Sequence, residues 1–150
     1  MSSSSVTPRT DELLALASGL RLVVMRLARR LRQRAEAGIT PSMLSALSSV
    51  ERLGPITLGD LAAAERVRPP SLSVIVSRLE EEGLVAREAD PGDGRVSMVR
   101  LTPSGVRLME RNRSRKNAYL AQRLRTLDGA DREVLARALG ILERVLRDEP

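Results

Sequence analysis

The sequence predicts a mostly α-helical chain with one small β-hairpin. Apolar residues recur at three- and four-residue spacing over long stretches, and a single short alternating run follows a dense turn. Proline just inside these periodic stretches, and glycine just beyond them, marks where the elements begin and stop.

From residue 11 to about residue 37, Leu13, Leu16, Leu20, Val23, Val24, Leu27 and Leu31 share one stripe, and Gly38 ends the helix. Six arginines (21, 26, 29, 30, 32 and 34) lie in the same stretch, with no acid between Leu13 and Ala35. Thr40-Pro41 pairs an N-cap with a first-turn proline and opens a second helix through Leu53, which Gly54-Pro55 breaks. Thr57 and Asp60 stand at capping-box spacing at the head of a short third helix, LGDLAAAE. Val67-Arg68-Pro69-Pro70 turns the chain into a fourth helix. Leu72, Ile75, Val76 and Leu79 form its apolar face, and Gly83 stops it. Residues 84–88 and 96–101 read as two strands joined by the loop DPGDG. Thr102-Pro103 repeats the capped start for a fifth helix to about residue 124, and a sixth runs from about residue 128 to 147.

Composition removes several function classes. The 150 residues, 42% of them apolar, suffice for one domain with a buried core, which must be aliphatic because Tyr119 is the only aromatic residue. That scarcity argues against single-stranded nucleic acid, whose bases usually stack on aromatic side chains. With no cysteine and no histidine, the chain has no disulfide, no thiol redox switch, no Cys/His zinc site and no catalysis by either group. The start MSSSSVTPRTDE lacks the apolar segment of a signal peptide, so a cytoplasmic protein is expected. The net charge is +6, carried by 25 basic residues of which only Lys116 is lysine. Arginine forks suit phosphate, although a genome-wide codon preference gives the same composition.

Residues 57–102 combine a short capped helix, a tight turn, a second helix and a hairpin. That order is a helix-turn-helix with a wing. With Leu72, Ile75, Val76 and Leu79 facing inward, the opposite face carries Pro70, Val74, Ser77 and Arg78, with Ser71 and Ser73 on the flanks. Arg68 stands at the helix entry. Hydroxyls can bond phosphate or base edges, Val74 can touch a thymine methyl, and Arg78 can reach phosphate or guanine. Taken alone, the helix is equally an amphipathic helix with a solvated face. Residues 57–102 hold six arginines against eight acids, so DNA binding requires those charges to be segregated. Asp90, Pro91, Gly92, Asp93 and Gly94 restrict the loop, and a stiff hairpin can carry Arg95 into a narrow minor groove at low entropic cost. Asp93 is placed to hold Arg95 in pose.

The segment from Ile39 to Thr102 resembles the MarR (multiple antibiotic resistance regulator) family of winged-helix repressors. The resemblance is carried by GPITLGDLA at 54–62, RLEEEGLVAR at 78–87 and DPGDGRVSMVRLT at 90–102. The last matches the family's wing signature, Asp-x-Arg followed by Leu-Thr, at Asp93, Arg95, Leu101 and Thr102. The resemblance implies a single domain over 1–150, a winged DNA-binding region at 39–102, and helical dimerisation regions at 11–37 and 103–147. It implies a homodimer on an inverted repeat of double-stranded DNA. It also implies release of DNA by a small aromatic or anionic effector bound between the first, second and fifth helices; no other cofactor is expected. Where many members carry a second wing arginine this chain has Gly94, and where many carry a polar groove residue it has Val74. Modest direct base reading is therefore expected, with duplex shape contributing.

Two other functions are compatible with parts of the sequence. A constitutive architectural DNA binder would share the fold and lack the effector. A peripheral membrane or adaptor protein would use the basic amphipathic helix 13–34 on anionic lipid, but leaves residues 57–102 unexplained. An enzyme is not expected, since no nucleophile–base pair or metal cluster is visible.

Overall fold

In chain order, the computed structural model, which describes residues 9–147, contains α1 (Thr10–Arg32), α2 (Pro41–Leu53), β1 (Ile56–Thr57), α3 (Leu58–Glu65), α4 (Pro69–Glu81), β2 (Val85–Ala89), β3 (Ser97–Leu101), α5 (Pro103–Leu124) and α6 (Gly129–Arg147). The serine-rich first residues lie outside the described residues.

Local chemistry sets most of the boundaries. The hydroxyls of Thr40, Thr57 and Thr102 accept from the amides of Met43 (3.2 Å), Asp60 (3.1 Å) and Gly105 (3.1 Å), satisfying donors that a helix start leaves open. Asp128 does the same for α6, accepting from the Asp131 amide at 2.8 Å. At the end of α4, the Leu84 amide reaches Leu79 O (2.9 Å) and the Gly83 amide reaches Glu80 O (2.9 Å). Gly83, at φ +71, supplies the left-handed residue that this closure needs.

Two elements depart from the sequence expectation. α1 closes at Arg32 rather than running on to Gly38, because a tertiary tie intervenes. Asn112 on α5 accepts from the Glu36 amide (3.1 Å), and Ala35 packs against the core, so the chain is pulled into tight turns before the glycine is reached. The hairpin also gains a third strand. β1 pairs antiparallel with β3 in the register Ile56↔Val99 and Thr57↔Met98, giving the sheet order β1-β3-β2. Two residues are too few to show alternation, so β1 leaves no periodic signal.

The core lies between α2, α3, α4, the sheet and the first turns of α5. Leu47, Leu61, Leu72, Val76, Leu79, Val85 and Val99 are fully buried, and each side chain of this size stabilises the fold by about 1.5–3 kcal/mol. The start of α5 is pressed against the foot of the wing. Thr102 donates from its hydroxyl to Gly83 O (2.6 Å) and from its amide to Leu84 O (3.1 Å). A Cβ on Gly105 would come within 2.1 Å of the Leu84 carbonyl oxygen, so only glycine permits this approach.

α1 and α6 contribute no buried residue. Their stripes stand open: Leu16 is 70% exposed, Val23 62%, Leu139 64% and Leu146 69%.

Candidate nucleic-acid interface

The helix-turn-helix is held by one carboxylate. Glu65, at the end of α3, accepts from the Ser45 hydroxyl (2.6 Å) and the Ser49 hydroxyl (2.5 Å) of α2, which fixes α3 against the preceding helix. Arg66 then turns the chain. It is the only non-glycine residue with positive φ among the described residues (φ 54, ψ 40). The Arg66 and Val67 amides return to Ala63 O (3.1 Å) and Ala62 O (3.0 Å), the glycine-type closure seen at Gly83.

α4 leaves this turn with Arg68 as its N-cap and prolines at its first two positions. Leu72, Val76 and Leu79 are buried and Ile75 packs on the core, as the periodicity requires. Arg68, Pro70, Ser71, Val74 and Arg78 are exposed together. Val74 is an apolar surface point on that face, 63% exposed. The two remaining serines sit differently. Ser73 is half-buried, and Ser77 is half-buried with its oxygen accepting from the Arg87 guanidinium at 3.0 Å. One acceptor site of Ser77 is therefore used inside the protein, while its O–H proton stays available.

Arg87 is a residue that the periodicity does not reveal. It lies on β2, and its Nε stands 3.8 Å from Glu80, so one guanidinium ties the wing to α4. At the wing tip, the Asp90 amide donates to Val96 O (2.8 Å) and the Val96 amide to Asp93 O (3.0 Å), closing the loop. Asp90 accepts from the Gly92 amide (2.7 Å), and Asp93 accepts from the Arg95 amide (3.1 Å). The Arg95 side chain is 95% exposed, with its Nε 3.8 Å from Asp93 Oδ1. Asp93 thus holds the backbone of Arg95 and leaves the guanidinium projecting.

Part of the charge around α4 is paired within the fold. Glu65 is bound by serines, Glu80 by Arg87, and Glu88 by Arg100 across the sheet, which leaves Arg66, Arg68 and Arg78 outside any ion pair among the described residues.

Away from this face, a cavity of about 380 Å³ opens between α1, α2 and α5. Arg32, Leu44, Glu51, Met109, Asn112, Arg113 and Lys116 are among its lining residues. Glu51 is neutralised by Arg113 at 2.9 Å, whereas Arg32 and Lys116 have no ion-pair partner among the described residues. Asn112 is 2% exposed, and its Nδ2 lacks a hydrogen-bond partner there. The described residues form no cluster able to hold a metal ion, and no helix among them is long and apolar enough to cross a membrane.

The MarR family profile matches residues 39–97. An HTH-type transcriptional regulator of Mycobacterium leprae is 40% identical over 136 residues, covering 90% of this chain and 95% of that protein. The crystal structure of a transcriptional regulator from Pseudomonas aeruginosa superposes with a TM-score of 0.83 at 34% identity, covering 95% of this chain and all of that one. A MarR family protein from Bacillus stearothermophilus gives a TM-score of 0.79 at 26% identity, again over 95% and 100% of the two chains. These relatives are transcriptional regulators, not enzymes. The shared length, the fold and the wing together identify the chain as a member of the MarR family, transcriptional regulators built on a DNA-binding winged helix.

Proposed function

We propose that the protein is a homodimeric repressor that binds an inverted repeat of double-stranded DNA in the cytoplasm and releases it when a small anionic molecule binds. The observation that carries the dimer is the pair of bare helices. α1 and α6 flank a complete winged unit yet bury nothing, and apolar surface on that scale needs a partner. A second copy is self-complementary by symmetry and would set two α4 helices against successive major grooves, about 34 Å apart. The duplex is supported by the guanidinia around α4 and by Arg95. It is supported also by a fold neighbour, the MepR F27L mutant of Staphylococcus aureus, which is bound to an oligodeoxyribonucleotide (TM-score 0.70, 22% identity). Repression is supported by the HTH-type transcriptional repressor MdtR of Bacillus subtilis, 30% identical over 87 residues, which are 58% of this chain and 56% of MdtR.

The cavity between α1, α2 and α5 supports the effector. Its unpaired Arg32 and Lys116 favour a carboxylate, Leu44 and Met109 offer apolar wall, and the buried Asn112 Nδ2 has a hydrogen bond still to give. Because the cavity joins α1 and α5 to α2, a ligand there changes how the winged unit sits on the dimer helices.

The test is an anisotropy titration against duplexes selected from genomic DNA, followed by titration of the complex with benzoate- and phenol-class anions. Submicromolar binding reversed by at least one such anion is expected. A complex that no anion dissociates would make the protein a constitutive DNA binder. Failure to bind any selected duplex would overturn the DNA reading.

A further inference from the structure

Tyr119 stands half-buried on α5 with the Arg34 guanidinium 4.4 Å from its ring centroid and that of Arg123 at 5.6 Å. Arg30, first, and Arg123, second, favour its ionised oxygen and draw the hydroxyl below the usual tyrosine value of 10.0, against the opposing effect of burial. Beside it, α1 carries an open hollow of about 530 Å³ on its own surface, lined by Arg26, Leu27, Arg29, Arg30 and Gln33. Arg30 belongs to both groups.

None of Arg26, Arg29, Arg30, Arg34 and Arg123 forms an ion pair among the described residues. Four arginines packed on the winged unit meet carboxylates instead: Arg87 meets Glu80, Arg100 meets Glu88, Arg111 meets Glu36 and Arg113 meets Glu51. Here three guanidinia, of Arg30, Arg34 and Arg123, gather around one phenol, and Arg26 and Arg29 line the adjoining hollow, with no carboxylate paired to any of the five. The negative ends of two helix dipoles offset only about half a charge each.

We propose that this cluster is a binding site for a small polyanion of the oligophosphate class, separate from the duplex face and from the cavity between α1, α2 and α5. Guanidinium forks match phosphate oxygens two at a time. Linked phosphates suit the site because five cations, spread over more than two turns of chain, exceed what a monoanion neutralises. A duplex suits it poorly, since three of the cations converge on a single ring instead of following a backbone track. The site is also distinct from the effector cavity along α1. Arg30 and Arg32 are two residues apart, about 200° round the helix.

Tyr119 is the only aromatic residue, so its emission and its phenolate absorbance report this site alone. Inorganic tripolyphosphate, titrated into the full chain at about 0.15 M NaCl, is expected to change Tyr119 emission saturably, with a half-point below about 1 mM. It is also expected to move the phenol titration upward, because the bound anion competes with the phenolate for Arg30 and Arg123. The double variant Arg30→Gln/Arg123→Gln raises the half-point by about tenfold or more. The upward phenol shift in the unaltered protein keeps the test decisive if that variant does not fold. Flat emission, a response reproduced by NaCl at equal ionic strength, or an undiminished response in a folded double variant would overturn the proposal. So would a salt-sensitive dimer that ignores tripolyphosphate, which would assign the arginines to contacts between copies.

Discussion

The Arg87 guanidinium on β2 lies 3.0 Å from the Ser77 hydroxyl on α4, so the wing and α4 share a side-chain bond. Nε of the same group is buried without a hydrogen bond and stands 3.8 Å from Glu80. This side chain therefore adds a polar tie between the wing and α4 to the apolar core that packs them together. Arg87→Met, which keeps the apolar stem, is expected to cost about 1 kcal/mol of stability and to weaken duplex binding about tenfold. Anisotropy titration alongside urea denaturation checks both. An unchanged affinity would mean that the wing is oriented without this clamp.

Arg95 offers the opposite case, a side chain that contacts little but its own loop. At 95% exposure its removal takes nothing from the core. Arg95→Ala is expected to leave the unfolding midpoint unchanged and to weaken duplex binding about tenfold. Binding by the unaltered protein should fall steeply with salt, by about 0.9 log units per log unit of salt for each phosphate neutralised. A flat plot would remove phosphate contacts from the account.

Gly105 separates stability from recognition. Placing a Cβ 2.1 Å from the Leu84 carbonyl forces α5 away from the foot of the wing. Gly105→Ala is expected to destabilise the fold by about 2 kcal/mol or more, read as a lower urea midpoint. A variant as stable as the parent would show that the joint between α5 and Leu84 is loose.

These residues were unequally legible. Thr40, Thr57 and Thr102 announced their helices because capping is a contact between near neighbours, and Gly83 stopped α4 for the same reason. The buried face of α4 could be read from spacing alone, and so could the wing turn. Arg68, Pro70, Ser71, Val74 and Arg78 then followed as the residues left outside. What stayed hidden depends on contacts far apart in sequence. The Asn112–Glu36 bond that ends α1 early joins residues 76 apart, the pairing of β1 with β3 spans more than 40 residues, and the Arg87–Ser77 bond crosses from strand to helix. No local pattern records any of the three.

Arg66 carries a conflict between stability and function. It holds a left-handed backbone at φ 54, where glycine would be unstrained, and it presents an unpaired cation beside α4. Arg66→Gly is expected to raise stability by about 0.5–1 kcal/mol and to weaken duplex binding about threefold at low salt. Calorimetry with anisotropy measures the pair, and a variant that binds as tightly as its parent would place Arg66 off the duplex.

In the proposed assembly two chains, joined through α1, α5 and α6, set paired α4 helices and wings on one duplex. Sedimentation equilibrium of the protein with a selected inverted-repeat duplex measures this directly. A complex of two chains per duplex is expected, with loss of the two-chain species when the 64%-exposed Leu139 is replaced in Leu139→Glu. A one-to-one complex, or a two-chain species untouched by that substitution, would contradict it.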